Sequence, residues 1–154
     1  MKRVLLVVSA FFMVLASTVS FSESTSGGFL LGKWNHVEMV HTADGRVVRV
    51  QESHGESSVE YKQDGTWAMR SPRNSNSGTY KLMNGNSLET TILQSDIPTQ
   101  LGWRSVKQIE VDGTTLKVIT KYDEKAMEVF APGSDGTRPK EMSVTSTFKR
   151  VGEK

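Results

Sequence analysis

Ser57-Ser58-Val59-Glu60-Tyr61-Lys62-Gln63-Asp64-Gly65-Thr66-Trp67-Ala68-Met69-Arg70 is the stretch that decides how the rest of the chain is read. Val59 and Tyr61 alternate with Ser58, Glu60 and Lys62, and Trp67 and Met69 alternate with Thr66, Ala68 and Arg70. Period-two alternation gives a strand one apolar and one polar face. Asp64-Gly65 lies between the two runs, and a tight hairpin turn needs positive φ, which glycine adopts without a steric penalty. The segment therefore reads as a hairpin whose two aromatic rings share one face.

The same grammar extends in both directions. Short alternating runs at Leu31–His41, Arg46–Glu52, Gly78–Met83 and Ser87–Gln94 are divided by turn residues. Gly102–Val111 and Thr114–Tyr122 flank a second Asp-Gly pair, Asp112-Gly113, and Glu141–Val151 closes the series. Ala126–Phe130 reads as a weaker strand, and Ser71–Ser77, Ser95–Leu101 and Ala131–Pro139 read as loops. No window in this region combines helical periodicity with end caps, so no helix is predicted. Strands joined to their sequence neighbours, with no helical crossovers, exclude a nucleotide-binding α/β sheet. A meander of roughly 8–10 strands removes its open edges by closing, so the predicted fold is an all-β, up-and-down antiparallel β-barrel.

The start of the chain has a different character. Met1-Lys2-Arg3 precedes an uncharged apolar run, Val4–Ala16, and small residues follow at Ser17, Thr18, Ser20 and Ser22. That order is a secretory signal peptide, and a run of about 12 residues is short for a bilayer span. The expectation is a cleaved signal over 1–22, cut after Ala16 or Ser22, and a barrel domain over 23–154, periplasmic or secreted, with no stable membrane span after signal removal. The chain has 19 Lys and Arg against 17 Asp and Glu; Lys2 and Arg3 leave with the signal, so the mature domain has no net charge. It carries no basic cluster of the kind that tracks phosphates, so no nucleic-acid partner is expected. The chain has no Cys, which excludes disulfides, thiolate metal sites, Cys nucleophiles and Cys-linked lipid anchors.

Sorting by alternation places Val59, Tyr61, Trp67, Met69, Tyr80, Leu88, Ile92, Leu116, Val118, Tyr122, Val144 and Phe148 inside the barrel. Arg150 falls on the inner face of the last strand, and an inward charge near a chain end needs a partner. Gly32-Lys33-Trp34, preceded by Phe29-Leu30-Leu31, opens the first strand. Together with Gly78-Thr79-Tyr80 and the terminal Thr147-Phe148-Lys149-Arg150, this pattern resembles the lipocalin and wider calycin group, above all bacterial secreted lipocalin-like domain proteins. The resemblance implies that Trp34 plugs one end of the barrel with Arg150 across it, and that Gly32 and Phe148 belong to the same structural cluster. The long helix that precedes the last strand in typical lipocalins is not visible between Ala131 and Glu141, so their ligands do not transfer.

The interior set of aromatics and Met suits a small apolar or amphipathic ligand, and it equally suits a solid core. The candidate ligand-binding residues are His36, Glu38, Tyr61, Trp67, Met69, Tyr80, Trp103 and Tyr122. His36 and Glu38 enter if β alternation runs unbroken from Trp34; a bulge would instead turn Val37 and Met39 inward. His36 and His41, on an unbroken strand, face opposite ways, and no metal-ligand spacing occurs, so no metal or other cofactor is expected. No nucleophile motif is present. Two functions follow: an exported, non-catalytic barrel that binds a small hydrophobic or amphipathic molecule, or a solid barrel that engages another exported protein. A His36–Glu38 acid–base pair in the cavity is the enzymatic possibility, and the chain is not expected to be an enzyme.

Overall fold

The structure is a computed structural model that describes residues 28–83, 86–130 and 139–152. The signal-peptide assignment, most of the Ala131–Pro139 loop and the Asn84-Gly85 part of a turn lie outside the described residues. Nine strands are described: β1 (Gly32–Ala43), β2 (Arg46–Glu52), β3 (Ser58–Tyr61), β4 (Thr66–Arg70), β5 (Ser75–Leu82), β6 (Ser87–Ser95), β7 (Arg104–Asp112), β8 (Thr115–Tyr122) and β9 (Met142–Arg150). Each pairs antiparallel with its neighbour, and β1 also pairs with β9 from Trp34↔Arg150 to Ala43↔Met142. The sheet therefore closes through β1, β3, β4, β5, β6, β7, β8 and β9 into an eight-stranded barrel, lipocalin-like in its up-and-down order.

β2 is the strand outside that ring. It pairs with the second half of β1 across an Asp44-Gly45 turn, both residues at positive φ, while β3 pairs with the first half. The two would be one long strand but for Ser53–Ser57, which loops out; Ser53 N–H still donates to Val37 O and His36 N–H to Ser57 O, each at 2.9 Å. Every β2 residue is exposed, Val47, Val48 and Val50 among them. A bulge opposite His41 and Thr42, with Arg46 and Arg49 on the strand, blunts this free edge.

Two departures from regular alternation shape the barrel. Gly78 sits where β5 crosses β6 so closely that a Cβ would lie 1.8 Å from Thr91 O. The register shifts beside it, between Ser77 and Gly78. The second irregularity is on β1, between His36 and Glu38.

Secondary structure departs from expectation at three places. Glu124–Phe130 is a short α-helix, α1, not a strand. Asp123 nucleates it: its Oδ1 accepts from Ala126 N–H at 2.7 Å, and its carbonyl accepts from Met127 N–H at 2.9 Å. Seven residues are too few to show a helical period, which is why the sequence pattern missed it. β5 begins at Ser75, inside the expected Ser71–Ser77 loop, and Pro98–Gln100 forms one 3₁₀ turn within the Ser95–Leu101 loop.

The core fills one end of the barrel. Leu30, Trp34, Leu88, Ile109 and Leu116 are the most deeply buried large side chains. Trp34 Nε1–H donates to Leu30 O at 2.8 Å, and the Arg150 guanidinium lies 4.1 Å from the Trp34 ring centroid. Arg150 also donates to Leu31 O at 2.7 Å and to Phe29 O. One side chain thus ties the entering chain, the indole and the final strand together. Gly32, at φ +107°, gives the chain its turn into β1 and brings only a Cα past the Arg150 fork.

Candidate functional site

Above the Trp34 plug the barrel is hollow. A cavity of about 780 Å³ is lined by residues from the buried Val59, Tyr61 and Phe148 to the exposed Arg49 and Lys121, which mark its open side. A shallower depression of about 550 Å³ at the plugged end is bordered by Phe29, Ile109, Val111 and Arg150. Its one charged donor, Arg150, is already spent on the plug, so the interior cavity is the site.

The walls of the cavity differ. β3, β4, β8 and β9 contribute Val59, Tyr61, Trp67, Met69, Val118 and Val144. These are the apolar positions of the alternation, and closing the barrel turns them toward a common axis. Opposite them, β5, β6 and β7 with the 3₁₀ turn contribute a polar wall. Asn76 Nδ2–H donates to Gln100 Oε1 at 2.9 Å, and Thr90 Oγ1 lies 3.1 Å from Ser105 Oγ. Asn76 Oδ1 is buried with no protein hydrogen-bond partner. Lys107, also on β7, projects from this wall across the interior, its ammonium 5.6 Å from the Trp67 ring centroid. Burial pushes the Lys107 ammonium down to about 8.

Tyr61, Trp67, Met69, Trp103 and Tyr122 border the cavity. Burial holds the Tyr61 and Tyr122 hydroxyls above the ordinary phenol range, with the neighbouring Tyr80 a smaller contributor at Tyr61, so both are neutral donors. Trp67 is anchored by its Nε1–H to Thr79 O at 3.0 Å, made possible by Gly78 directly across the strand pair. Tyr80 points inward but lies below the cavity, edge-on to Tyr61 with centroids 5.1 Å apart and its hydroxyl donating to Lys62 O at 2.8 Å. Lys125 of α1 lies 5.9 Å from the Trp103 ring.

The His36–Glu38 pair does not form. His36 is opposite the inward Phe148, whereas Glu38 is opposite the outward Thr147, and the extra residue between them is Val37. The bulge therefore turns Glu38 away from the interior and brings Met39 and His41 into it, where both border the cavity. His36 and His41 consequently share a face, contrary to the unbroken-strand reading. His36 packs edge-on against Phe148 at 5.1 Å, beneath the cavity, with Nε2 buried and unpartnered. Desolvation lowers its pKa, and it lowers that of His41 too, with the Arg49 charge a second cause. Among the described residues no three His, Asp or Glu side chains cluster to hold a metal, and no helix is long and apolar enough to cross a membrane.

Lys107, Asn76, Thr90, Ser105 and Gln100 are the site residues that sequence reasoning missed. For Lys107 the signal was present: Ser105, Lys107, Ile109 and Val111 alternate on β7, and the last two are apolar.

No family model and no curated protein matches the chain. Solved structures do resemble it. A lipocalin-like protein from Bacteroides uniformis is 15% identical, covering 80% of this chain and 100% of its own, with a TM-score of 0.48. A DUF4847 family protein from Bacteroides vulgatus is 11% identical, over 82% of this chain and 96% of its own, with a TM-score of 0.45. EF1p2_mFAP2b bound to DFHBI is 16% identical, over 84% of this chain and 100% of its own, with a TM-score of 0.47.

Proposed function

We propose that this protein is an exported, non-catalytic barrel that takes up one small hydrophobic or amphipathic molecule. The observation that carries the reading is the cavity of about 780 Å³, within the range of small-molecule sites at roughly 300–1,000 Å³, with one aromatic and aliphatic wall and one polar wall. Export to the periplasm or beyond rests on the leader-like order of residues 1–22. Tyr61, Trp67, Met69, Trp103 and Tyr122 supply the apolar contact surface; Asn76, Gln100 and Lys107 orient a polar group.

The test is a fluorescence titration with N-phenyl-1-naphthylamine, an uncharged dye whose emission rises on leaving water. One saturable site is expected, and Ser146→Trp, which fills the cavity from β9, abolishes it while leaving the circular dichroism unchanged. Dye binding that survives in Ser146→Trp, or no saturable binding at all, overturns the reading.

A second reading has one observation in its favour. The exposed Val47, Val48 and Val50 lie on the free edge of β2, where a strand of an exported partner protein could add to the sheet. The bulge and the two arginines oppose it, and Trp67 and Trp103, the rings best suited to an outer contact patch, both border the interior.

A further inference from the structure

The charge inside the cavity is one-sided. Among the described residues Arg49, Arg104, Lys107 and Lys121 border it, against a single carboxylate, Asp123. Asp123 is engaged in starting α1 through its bond to Ala126 N–H. Arg104 is neutralised from the outer face by Glu89 at 2.6 Å. Lys107 is different. Among the described residues no carboxylate pairs with it, and its ammonium lies 5.6 Å from the centroid of the neutral Trp67 ring. A barrel that only needed to be filled would place a neutral side chain here, because an unpaired ammonium held off bulk water costs stability. Such a cation persists where an anion completes it.

From this geometry we infer that the natural ligand is an amphipathic carboxylic acid, its carboxylate paired with Lys107 and its apolar body laid along the Tyr61, Met69 and Val118 wall. The inference rests on the ligand-binding reading above and names the class of ligand. Asn76 Oδ1, the unpartnered acceptor on the same polar wall, takes a hydrogen bond from a water that donates its other proton to the second carboxylate oxygen. The exposed Arg49 and Lys121 on the open side draw the anion in, and the interior, more weakly polar than water, strengthens its contact with Lys107. An ammonium already loosened by burial is restored to its ordinary strength when a carboxylate arrives, so uptake of the acid brings uptake of part of a proton near neutral pH.

The experiment is displacement of bound N-phenyl-1-naphthylamine by dodecanoate and by 1-dodecanol, which share a tail and differ in the head. On the unmodified protein dodecanoate is expected to compete about tenfold better, equivalent to about 1.4 kcal/mol. The preference, read as the ratio of the two competitors' midpoints on the same variant so that any change in dye affinity cancels, disappears in Lys107→Met and survives in Lys107→Arg. A preference retained in Lys107→Met places the anion elsewhere, at Arg49 or Lys121, and overturns the assignment. Equal competition by the two tails on the parent overturns the inference and leaves the binding reading intact. Absence of dye binding on the parent overturns both.

Raising the pH of the unmodified protein supplies a second arm that needs no variant. The dodecanoate preference is expected to fade between about pH 8 and about pH 10 as Lys107 loses its proton. Of the other cavity groups, His41 has a lowered pKa and changes charge below the window, and Tyr61 and Tyr122 are held above the ordinary phenol range; Arg49, Arg104 and Lys121 also border the cavity, and any part they play persists in Lys107→Met. A preference unchanged across the window counts against Lys107.

Discussion

Replacing Arg150 with Ala removes three contacts at once. The guanidinium donates to Leu31 O at 2.7 Å in a partly buried setting and to Phe29 O at an exposed one, and it covers the Trp34 ring at 4.1 Å. A charged hydrogen bond in a buried setting is worth about 1.5–3 kcal/mol, and an exposed one much less because water replaces it. The cation–π contact adds about 1 kcal/mol. These contacts share one side chain and do not add fully, so the expected destabilisation is about 2–4 kcal/mol. With a urea slope of about 2 kcal/mol per molar, the middle of the usual range for small domains, the midpoint moves down by about 1–2 M. Arg150→Lys keeps the charge but loses the fork, so it retains one carbonyl bond and falls between the two. Lys149→Ala is the control: its ammonium bonds Thr115 Oγ1 on the outside, and its loss is expected to cost within about 0.5 kcal/mol. Equilibrium urea unfolding followed by Trp fluorescence and by circular dichroism measures all three. An Arg150→Ala midpoint no lower than that of Lys149→Ala would refute the plug as the closure of the barrel.

Further expectations concern separate parts of the molecule. Gly78→Ala drives a Cβ to within 1.8 Å of Thr91 O and costs about 3 kcal/mol or more, read as a lost thermal transition or insoluble expression. Lys107→Met stabilises the empty barrel at neutral pH by on the order of 1 kcal/mol, since it removes a desolvated cation beside an open cavity. The folded pKa of Lys107 is below its unfolded value, so the parent gains stability as pH rises from about 8 toward 10 while Lys107→Met does not; thermal melts across that window compare them. His36 also has a depressed folded pKa, so its contribution is present above its unfolded value of about 6.5 and is lost as pH falls below it. His36→Phe keeps the ring against Phe148 and is expected to flatten the acid side of the stability profile in urea titrations.

The barrel was legible because its code is local. Alternation in Val59–Tyr61, Trp67–Met69 and Val144–Phe148 fixes which face is inner, and closure follows from the number of strands that need partners. Parity placed Arg150 on the inner face, since β9 pairs with β8 in unbroken register from Met142 to Lys149, and the lipocalin resemblance supplied Trp34 as its partner. What parity could not show was a break in parity. One extra residue at Val37 reversed Glu38, Met39 and His41 together, and nothing in Asn35-His36-Val37-Glu38 marks the bulge, because its cause is the curvature of a strand shared by β2, β3 and β9. The polar wall was missed for two further reasons. Asn76 and Gln100 lie in stretches rich in turn formers, and lysine is ordinarily an outward residue, so Lys107 was passed over although its neighbours on alternate positions are apolar. Whether the interior was solid or hollow is a matter of volumes across the barrel, and that is not encoded in any single strand.

Native mass spectrometry of the full-length gene product, purified under mild conditions from the cells that make it, weighs the barrel together with whatever it has taken up. The account predicts one small adduct per chain that leaves as an anion on collisional activation. A chain of bare mass in every charge state would contradict it.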